Sequence, residues 1–562
     1  MVLETNQNQP SMARAAIERL YIAMRHLFIR GSYKPLGVSG EALIEALMTL
    51  QPEIYGSIAH PEKVELNGLL YIFKRLPKGI EQARYIKLIS REGFENSFES
   101  IIASARRRNC YRIDEEQIFI EMTRGRSDIY DILTHLTFMF VEAQKILRHV
   151  KQSRENLRRE WMMLEKIVQK EQRGEDFNKQ VAFTYLSTLL GRTFAETATA
   201  YEQFEKSESV NSLFQIVYWL GKRAIEETDE QRYREISFSN ALRDKVGHHI
   251  YGEIWAENIK QFLIENNLTR RPLHIISANT HSVMNTFYGK AALGDAVKGL
   301  SLEEVAKQLS MSENGHLRQK VKTYASRRGM MQLNDESGMN ISVQLFDTEQ
   351  INWNKVPEEI EFDSDYIKTE KPIIFVMDYA FGEQAFELMD ELLKPYNDDT
   401  KQNLNVKSIS IMGKAGILKG DKGDIMLPNA HIFEGTADNY PFENDLSIED
   451  FDGVPVVEGP MVSVLGTSLQ NRDILRFFHD SSWQVIGLEM EGAHYQKAIQ
   501  AASKIRRSID TDIKVRYAYY ASDNPLVSGQ TLASGSLGLV GVRPTYLITR
   551  KFLDKILGAS EK

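Results

Sequence analysis

Three short segments carry side chains that can do chemistry. The first is Ser410-Ile411-Met412-Gly413-Lys414-Ala415-Gly416-Ile417-Leu418, followed by Gly423-Asp424-Ile425-Met426-Leu427-Pro428. Gly413, Ala415 and Gly416 would let a backbone approach a ligand closely, and Lys414 sets an ammonium among them that can meet an anion. Gly423 and Asp424 read as fixing the following loop. The second segment, Ile486-Gly487-Leu488-Glu489-Met490-Glu491-Gly492-Ala493, places two carboxylates on either side of Met490. A carboxylate can accept two hydrogen bonds from a vicinal diol. Met490 would pack against a ligand or simply in the core. The third segment, Tyr520-Ala521-Ser522-Asp523-Asn524-Pro525-Leu526, puts Asp523 directly after the apolar run VRYAYYA. An aspartate donates a proton near neutral pH only if desolvation raises its pKa, and this position suits partial burial. Taken alone, it would more simply cap the turn before Asn524-Pro525.

These segments need elements to position them. From about residue 270 the chain shows short apolar runs ending in small or polar residues: LHIISANTHS, KPIIFVMDYAFG, VKSISIMGKAG, WQVIGLEMEG and VRYAYYASDN. Such runs, separated by helix-like stretches, predict buried strands of an α/β sheet. Ligands of open α/β sheets sit at the carboxyl ends of strands, where the small and acidic residues fall. The first half reads instead as helical. Residues 11–31 space apolar side chains three and four apart, with Ser11 as N-cap and Gly31 as stop. Residues 126–171 predict one or two long helices, and 176–225 a further helical block. The expected organisation is a mainly helical region at 1–265 and an α/β domain at 266–562.

A chain of 562 residues is too long for one hydrophobic core. No apolar stretch of about 20 residues appears, which excludes a membrane-spanning helix, and the N-terminus lacks the apolar region of a secretory signal. Cys110 is the only cysteine, so an internal disulfide or a Cys-based zinc site is excluded. A cytoplasmic location is expected. The net charge of −8 argues against whole-surface nucleic-acid binding. One local exception, Arg106-Arg107-Arg108 with Arg112, reads as a solvated basic face or as a phosphate-binding patch.

The strand end with G-x-A-G, the G-D-x-x-x-P stretch, the acidic-M-E-G-A turn and the strand ending in S-D occur here in the order of the purine nucleoside phosphorylase and nucleosidase superfamily, which residues 270–562 resemble. The S-D-N-P-L form is similar to that of AMP nucleosidases, which also carry a separate N-terminal domain. The resemblance implies a three-layer α/β/α domain with a mixed central sheet. It implies cleavage of the N-glycosidic bond of a purine nucleoside or nucleotide, with no cofactor or metal, in a homo-oligomer that binds neither nucleic acid nor membrane. Cleavage builds positive charge on the ribose and negative charge on the departing base. The resemblance makes Asp523 the acid at purine N7 and Glu491 the group that grips the ribose hydroxyls. Ser522, Glu489, Met490, Gly413, Lys414, Ala415 and Gly416 would line the substrate site.

The sequence also departs from that pattern. Many phosphorylases place an arginine two residues before the first glycine of the strand end, where this chain has Ile411. Water as nucleophile is therefore expected, with a phosphate-dependent phosphorylase as the alternative. Hydrolytic relatives commonly activate water with a glutamate in the loop matching Ile275–Ser282, which has none. Asn279 or His281 could orient water there, and His281 could act as a base. A nucleotide-binding sensor that has lost turnover is a further alternative. The acidic, aromatic stretch 434–452 reads as a lid or a partner contact, and Arg543 as a phosphate ligand for a nucleotide.

Overall fold

The computed structural model describes residues 8–106, 108–153, 156–397, 399–436, 438–527 and 538–558. The chain divides into two compact units, Met1–His248 with Ser468–Ile474, and His249–Thr467 with Leu475–Lys562. Among the described residues no helix is long and apolar enough to cross a membrane.

The first unit is mainly helical. The apolar face of residues 11–31 becomes the helix Asn8–Arg30, so Ser11 lies within it rather than capping it. The stretch 126–171 forms two helices, Gly125–Val150 and Arg159–Gln172. The block 176–225 forms three, Lys179–Leu190, Phe194–Glu205 and Leu213–Asp229, each started by a side-chain cap from Asn178, Thr193 or Ser212. The unit also contains a six-stranded sheet that the helical pattern did not announce. Its strands are β1 (Ser32–Tyr33), β2 (Tyr85–Ile89), β3 (Ser100–Ile102), β4 (Asn109–Arg112), β5 (Gln117–Glu121) and β6 (Glu235–Phe238), in the order β1-β6-β2-β5-β4-β3. Strands of two to five residues are too short to show an alternating pattern.

Two arginines of the basic cluster, Arg106 and Arg108, are taken up by ion pairs. Arg108 is buried, donating to Asp128 at 2.6 Å and Asp131 at 2.8 Å, and Arg106 reaches Asp131 at 3.4 Å. A buried guanidinium needs this pairing to offset its desolvation. Arg107 lies outside the described residues. Cys110 is buried on β4, its thiol pushed up to about 12 by desolvation.

The second unit is a mixed α/β domain. Its strands are β7 (Leu273–Ser277), β8 (Met330–Leu333), β9 (Val343–Asp347), β10 (Ile373–Met377), β11 (Val406–Ile417), β12 (Ile425–Phe433), β13 (Asn439–Pro441), β14 (Val456–Ser463), β15 (Gly487–Glu489) and β16 (Lys514–Asp523). Strands β7, β10, β11 and β16 run parallel, and β8 and β9 extend the sheet antiparallel. Beyond β7 the long β11 turns away to pair antiparallel with β15, while β16 pairs both β11 and β12. Strands β11, β16, β12, β14 and β15 therefore close on themselves.

Both faces of the sheet are covered, as strand alternation shows. On β10, Ile374 and Val376 join a core with Phe287 of helix Thr280–Leu293 and Phe552 of helix Val542–Ile556. Between them, Phe375 faces the other way, with its ring centroid 6.4 Å from Trp255 of helix Ile250–Glu265. On β16, Ala518 joins the first core, and Tyr517 donates to Gln496 of helix Gly492–Gln500 at 3.0 Å. This is a three-layer arrangement around a mixed sheet.

The described residues of the stretch 434–452 form an ordered edge rather than a lid. Strand β13 pairs β12, Asn444 donates to the carbonyls of Pro428 and Tyr517 at 2.9 Å, and Asp445 pairs with the buried Arg516 at 2.7 Å. Leu446 and Phe451 are buried in the core.

Candidate active site

Residue Gly416 of β11 is the pivot. It pairs with Leu488 of β15 on one side and, after a register shift, with Asp523 of β16 on the other. Two strand spacings of about 4.8 Å each separate those partners.

The end of β16 carries Asp523. It is 5% exposed, and Oδ2 is buried without a hydrogen-bond partner. Desolvation raises its pKa, opposed by the Ser522 hydroxyl and by the charges of Lys414 and Lys422. Ser522 Oγ lies within hydrogen-bond distance of both Ala415 O, at 3.0 Å, and Asp523 Oδ1. One hydroxyl proton cannot serve both acceptors. The arrangement is satisfied when Ser522 donates to Ala415 and Asp523 carries a proton that it donates to Ser522. The strand end itself is held by Ala521 N donating to Asp424 O and Gly423 N donating to Ala521 O, both at 2.9 Å. Gly423 and Asp424 thus anchor the backbone beside the acid. Asn524 ties the next turn through Gly420 O at 3.1 Å.

The turn after β15 is built by Glu489. Its buried carboxylate accepts from the backbone N–H groups of Glu491 and Gly492 and from Ser463 Oγ, and His431 Nδ1 lies 3.4 Å away. Burial alone would raise its pKa, but these partners hold it below the usual carboxylate range. Ser463 also accepts from Ala493 N at 2.8 Å. Gly492 is required here, because a Cβ would stand 2.3 Å from the His431 ring. With Glu489 so occupied, Glu491 is half-buried beside it and does not share those partners. It accepts from Gly382 N at 3.0 Å and Met490 N at 3.3 Å. Gly382 sits at φ 55°, a left-handed conformation natural to glycine. Burial, then repulsion from Glu489, pushes Glu491 up to about 8. Met490 is buried.

The remaining candidates fall into two groups. Gly413, Lys414, Ala415 and Gly416 lie on β11 between the two carboxyl-bearing ends. Lys414 is exposed, whereas Ala415 and Gly416 are buried, and the space beside Gly413 is filled by the Tyr519 ring, 3.0 Å from where a Cβ would stand. Asn279 follows β7 and caps helix Thr280–Leu293, accepting from Ser282 N at 2.8 Å. His281, on the first turn of that helix, is exposed. The exposed Arg543 donates to Gly453 O at 3.0 Å and pairs with Glu303 at 3.8 Å.

Sequence reasoning did not single out Ser463, His431, Gly382 or Tyr519. The Tyr519 hydroxyl is buried without a hydrogen-bond partner, within the electrostatic reach of Glu489 and Glu491. Ser463, His431 and Tyr519 lie at a strand end or inside a strand, where an isolated side chain reads as core, and Gly382 lies in the turn before helix Gln384–Leu392.

The model of a family described as "Family of unknown function (DUF6909)" matches residues 41–296 and 305–558. The chain belongs to that family. No curated protein matches this DUF6909 chain. Solved structures similar to it include the 5'-methylthioadenosine/S-adenosyl homocysteine nucleosidase of Campylobacter jejuni, at 8% identity over 51% of this chain and 99% of that one, with a TM-score of 0.31. A futalosine hydrolase mutant of Helicobacter pylori is similar at 10% identity, over 51% and 99%, with a TM-score of 0.30. Uridine phosphorylase of Schistosoma mansoni is similar at 11% identity, over 55% and 90%, with a TM-score of 0.29.

Proposed function

We propose that the second unit hydrolyses the N-glycosidic bond of a purine nucleoside or nucleotide. The observation that carries this reading is the buried Asp523, whose pKa desolvation raises, paired to Gly416 across β11 from the strand that leads to Glu491. Asp523 delivers its proton to base N7 as the bond between sugar C1′ and base nitrogen breaks and its electron pair passes to the base. Water adds at C1′, and the proton it gives up restores Asp523 through solvent. Glu491 binds the ribose diol. Its raised pKa lets it enter as a neutral carboxyl, with one donor and one acceptor for two hydroxyls. In its ionised form it faces the positive charge that grows on the sugar, and that cation offsets the repulsion from Glu489. That stabilisation exists only in the transition state, as catalysis requires. Met490, Ser522, Gly413, Lys414, Ala415 and Gly416 complete the site, and His281 or Asn279 orients the water. For a 5′-phosphorylated substrate such as AMP, Arg543 is the phosphate ligand in this reading.

The test is chromatographic release of free base from a panel of purine nucleosides and nucleotides, with and without phosphate. Release from at least one member supports the proposal. Measurable binding with no release from any member overturns it in favour of a sensor, a reading that the missing glutamate in the β7 loop and the capping role of Asn279 favour.

A further inference from the structure

The first unit contains a cavity of about 1020 Å³ between the β4–β5 turn and helix Leu213–Asp229. Its wall is unusual in how its charges are matched. Glu116 and Glu226 face the cavity, but both are saturated: Arg84 and Arg223 donate to each of them, at 2.7 to 3.2 Å, and Arg232 also donates to Glu116. Three guanidiniums on Glu116 hold it ionised, at about 2. Asp114 accepts from Glu116 N at 2.7 Å and shapes the turn, and Glu115 is exposed.

The other cations of the wall lack such partners. Lys78, Arg112 and Lys222 have no carboxylate oxygen within 4.0 Å among the described residues. Arg112 donates to Gly79 O at 3.1 Å and Lys78 to Glu208 O at 3.1 Å, which leaves most of their N–H groups unmatched. Lys222 lies 4.8 Å from the Trp219 ring centroid, and Trp219 Nε1 is buried without an acceptor. The one buried carboxyl acting on Arg112 and Lys78, Glu81, is held toward its neutral form by burial.

The carboxylates Glu116 and Glu226 of this wall are taken up by arginines, whereas Arg112, Lys222 and the exposed Lys78 have no carboxylate partner within 4.0 Å among the described residues. Leaving the half-buried donors of Arg112 and Lys222 unmatched is costly, and a multi-oxygen anion is the partner that several such donors share. We propose that this cavity binds a phosphoryl group, through Arg112, Lys222 and Lys78 with the Trp219 N–H beside them. The anion is inorganic phosphate or the phosphate of a small phosphorylated metabolite. The site is separate from the chemistry of the second unit and stands whether or not that unit releases base.

The full chain is titrated with inorganic phosphate and, separately, with ribose 5-phosphate, following tryptophan emission and melting temperature. A saturable response in both readouts is expected. A response to phosphate alone identifies the free ion, and a tighter response to the sugar phosphate identifies a metabolite. Arg112→Ala with Lys222→Ala should weaken the response by about tenfold or more. Trp219→Phe should remove the emission change and keep the melting shift, which guards against a misfolded double variant. No saturable response to either probe, or one that the double variant retains in full, overturns the proposal.

Discussion

The end of β16 and the turn after β15 both present an acid to β11, and they raise its pKa by different means. At β16 the means are local: the end of the strand is buried, and desolvation outweighs the opposing Ser522 hydroxyl and the charges of Lys414 and Lys422. At β15 the means are borrowed. Glu489 gathers Ser463, His431 and two backbone N–H groups, remains ionised, and pushes its neighbour Glu491 up to about 8. Two glutamates separated by one methionine thus sit on opposite sides of the ordinary carboxylate value. In the proposed reaction, the acid that releases a proton is the insulated one, and the carboxyl that meets a cation is held beside the ionised Glu489.

Substitutions can separate the two ends. The largest effect is expected at β16. Asp523→Asn keeps shape and a hydrogen bond but has no proton to deliver, so base release should fall by about 10²–10⁴-fold with ligand binding retained. In the wild-type protein, turnover should decline as pH rises through the raised value of Asp523. Wild-type turnover in the variant would remove Asp523 from the role of acid.

At β15 the chemical and structural parts can be tested apart. Gly492→Ala drives a methyl into the His431 ring, and overpacking of this kind costs about 1–3 kcal/mol. The melting temperature should fall, and substrate binding should weaken because the turn carrying Glu491 must move. An unshifted melting curve would show that the turn yields at no cost. Glu491→Gln should leave the turn intact while weakening ribose binding and turnover, with a 2′-deoxy substrate losing less than its ribo counterpart. Equal losses would place Glu491 outside the ribose site.

Glu491 also makes a stability prediction with a definite sign. Its folded pKa lies above the ordinary carboxylate value of 4.5. The contribution of the neutral form is therefore fully present at low pH and is lost as pH rises through about 8. Glu491→Gln stays neutral throughout. Its melting temperature relative to wild type should climb between about pH 5 and about pH 9. A constant difference across that range would mean that the carboxyl titrates normally.

The sequence announced the carboxylates and hid what tunes them. Asp523 was legible because an apolar run ends on it, and the five runs from LHIIS to VRYAYYASD all become strands. Strands β8, β9, β12, β13 and β14 were not foreseen, since an edge strand such as Asn439–Pro441 has no apolar run to show. The partners of Glu489 come from β12 and β14, distant in sequence, and no local pattern joins Ser463 or His431 to a glutamate. The acidic stretch 434–452 misled for a related reason. Its charge was visible, but the buried Arg516 that absorbs Asp445 lies in β16.

The smallest expected effect is none at all: added phosphate should leave the rate and products of base release unchanged. An anionic nucleophile needs fixed positive charge near C1′, whereas water needs only an orienting acceptor. Ile411, at the position compared above with an arginine of many phosphorylases, is buried within the sheet, in register with Ser277 of β7 and Tyr517 of β16. An arginine there would have to leave the sheet to reach a ligand. The candidate cation beside the acid is Lys414, exposed on β11 and already acting on Asp523. It is a point charge rather than a bidentate fork, and so a weaker phosphate ligand than the missing arginine. The products should be free base with ribose or ribose 5-phosphate. Ribose 1-phosphate formed in step with base at saturating phosphate would show that Lys414 suffices, and would convert the hydrolase reading into a phosphorylase one. Lys414→Ala separates the cases: it should abolish phosphorolysis but leave hydrolysis in place, with the pH limb of Asp523 shifted upward as an opposing charge is removed.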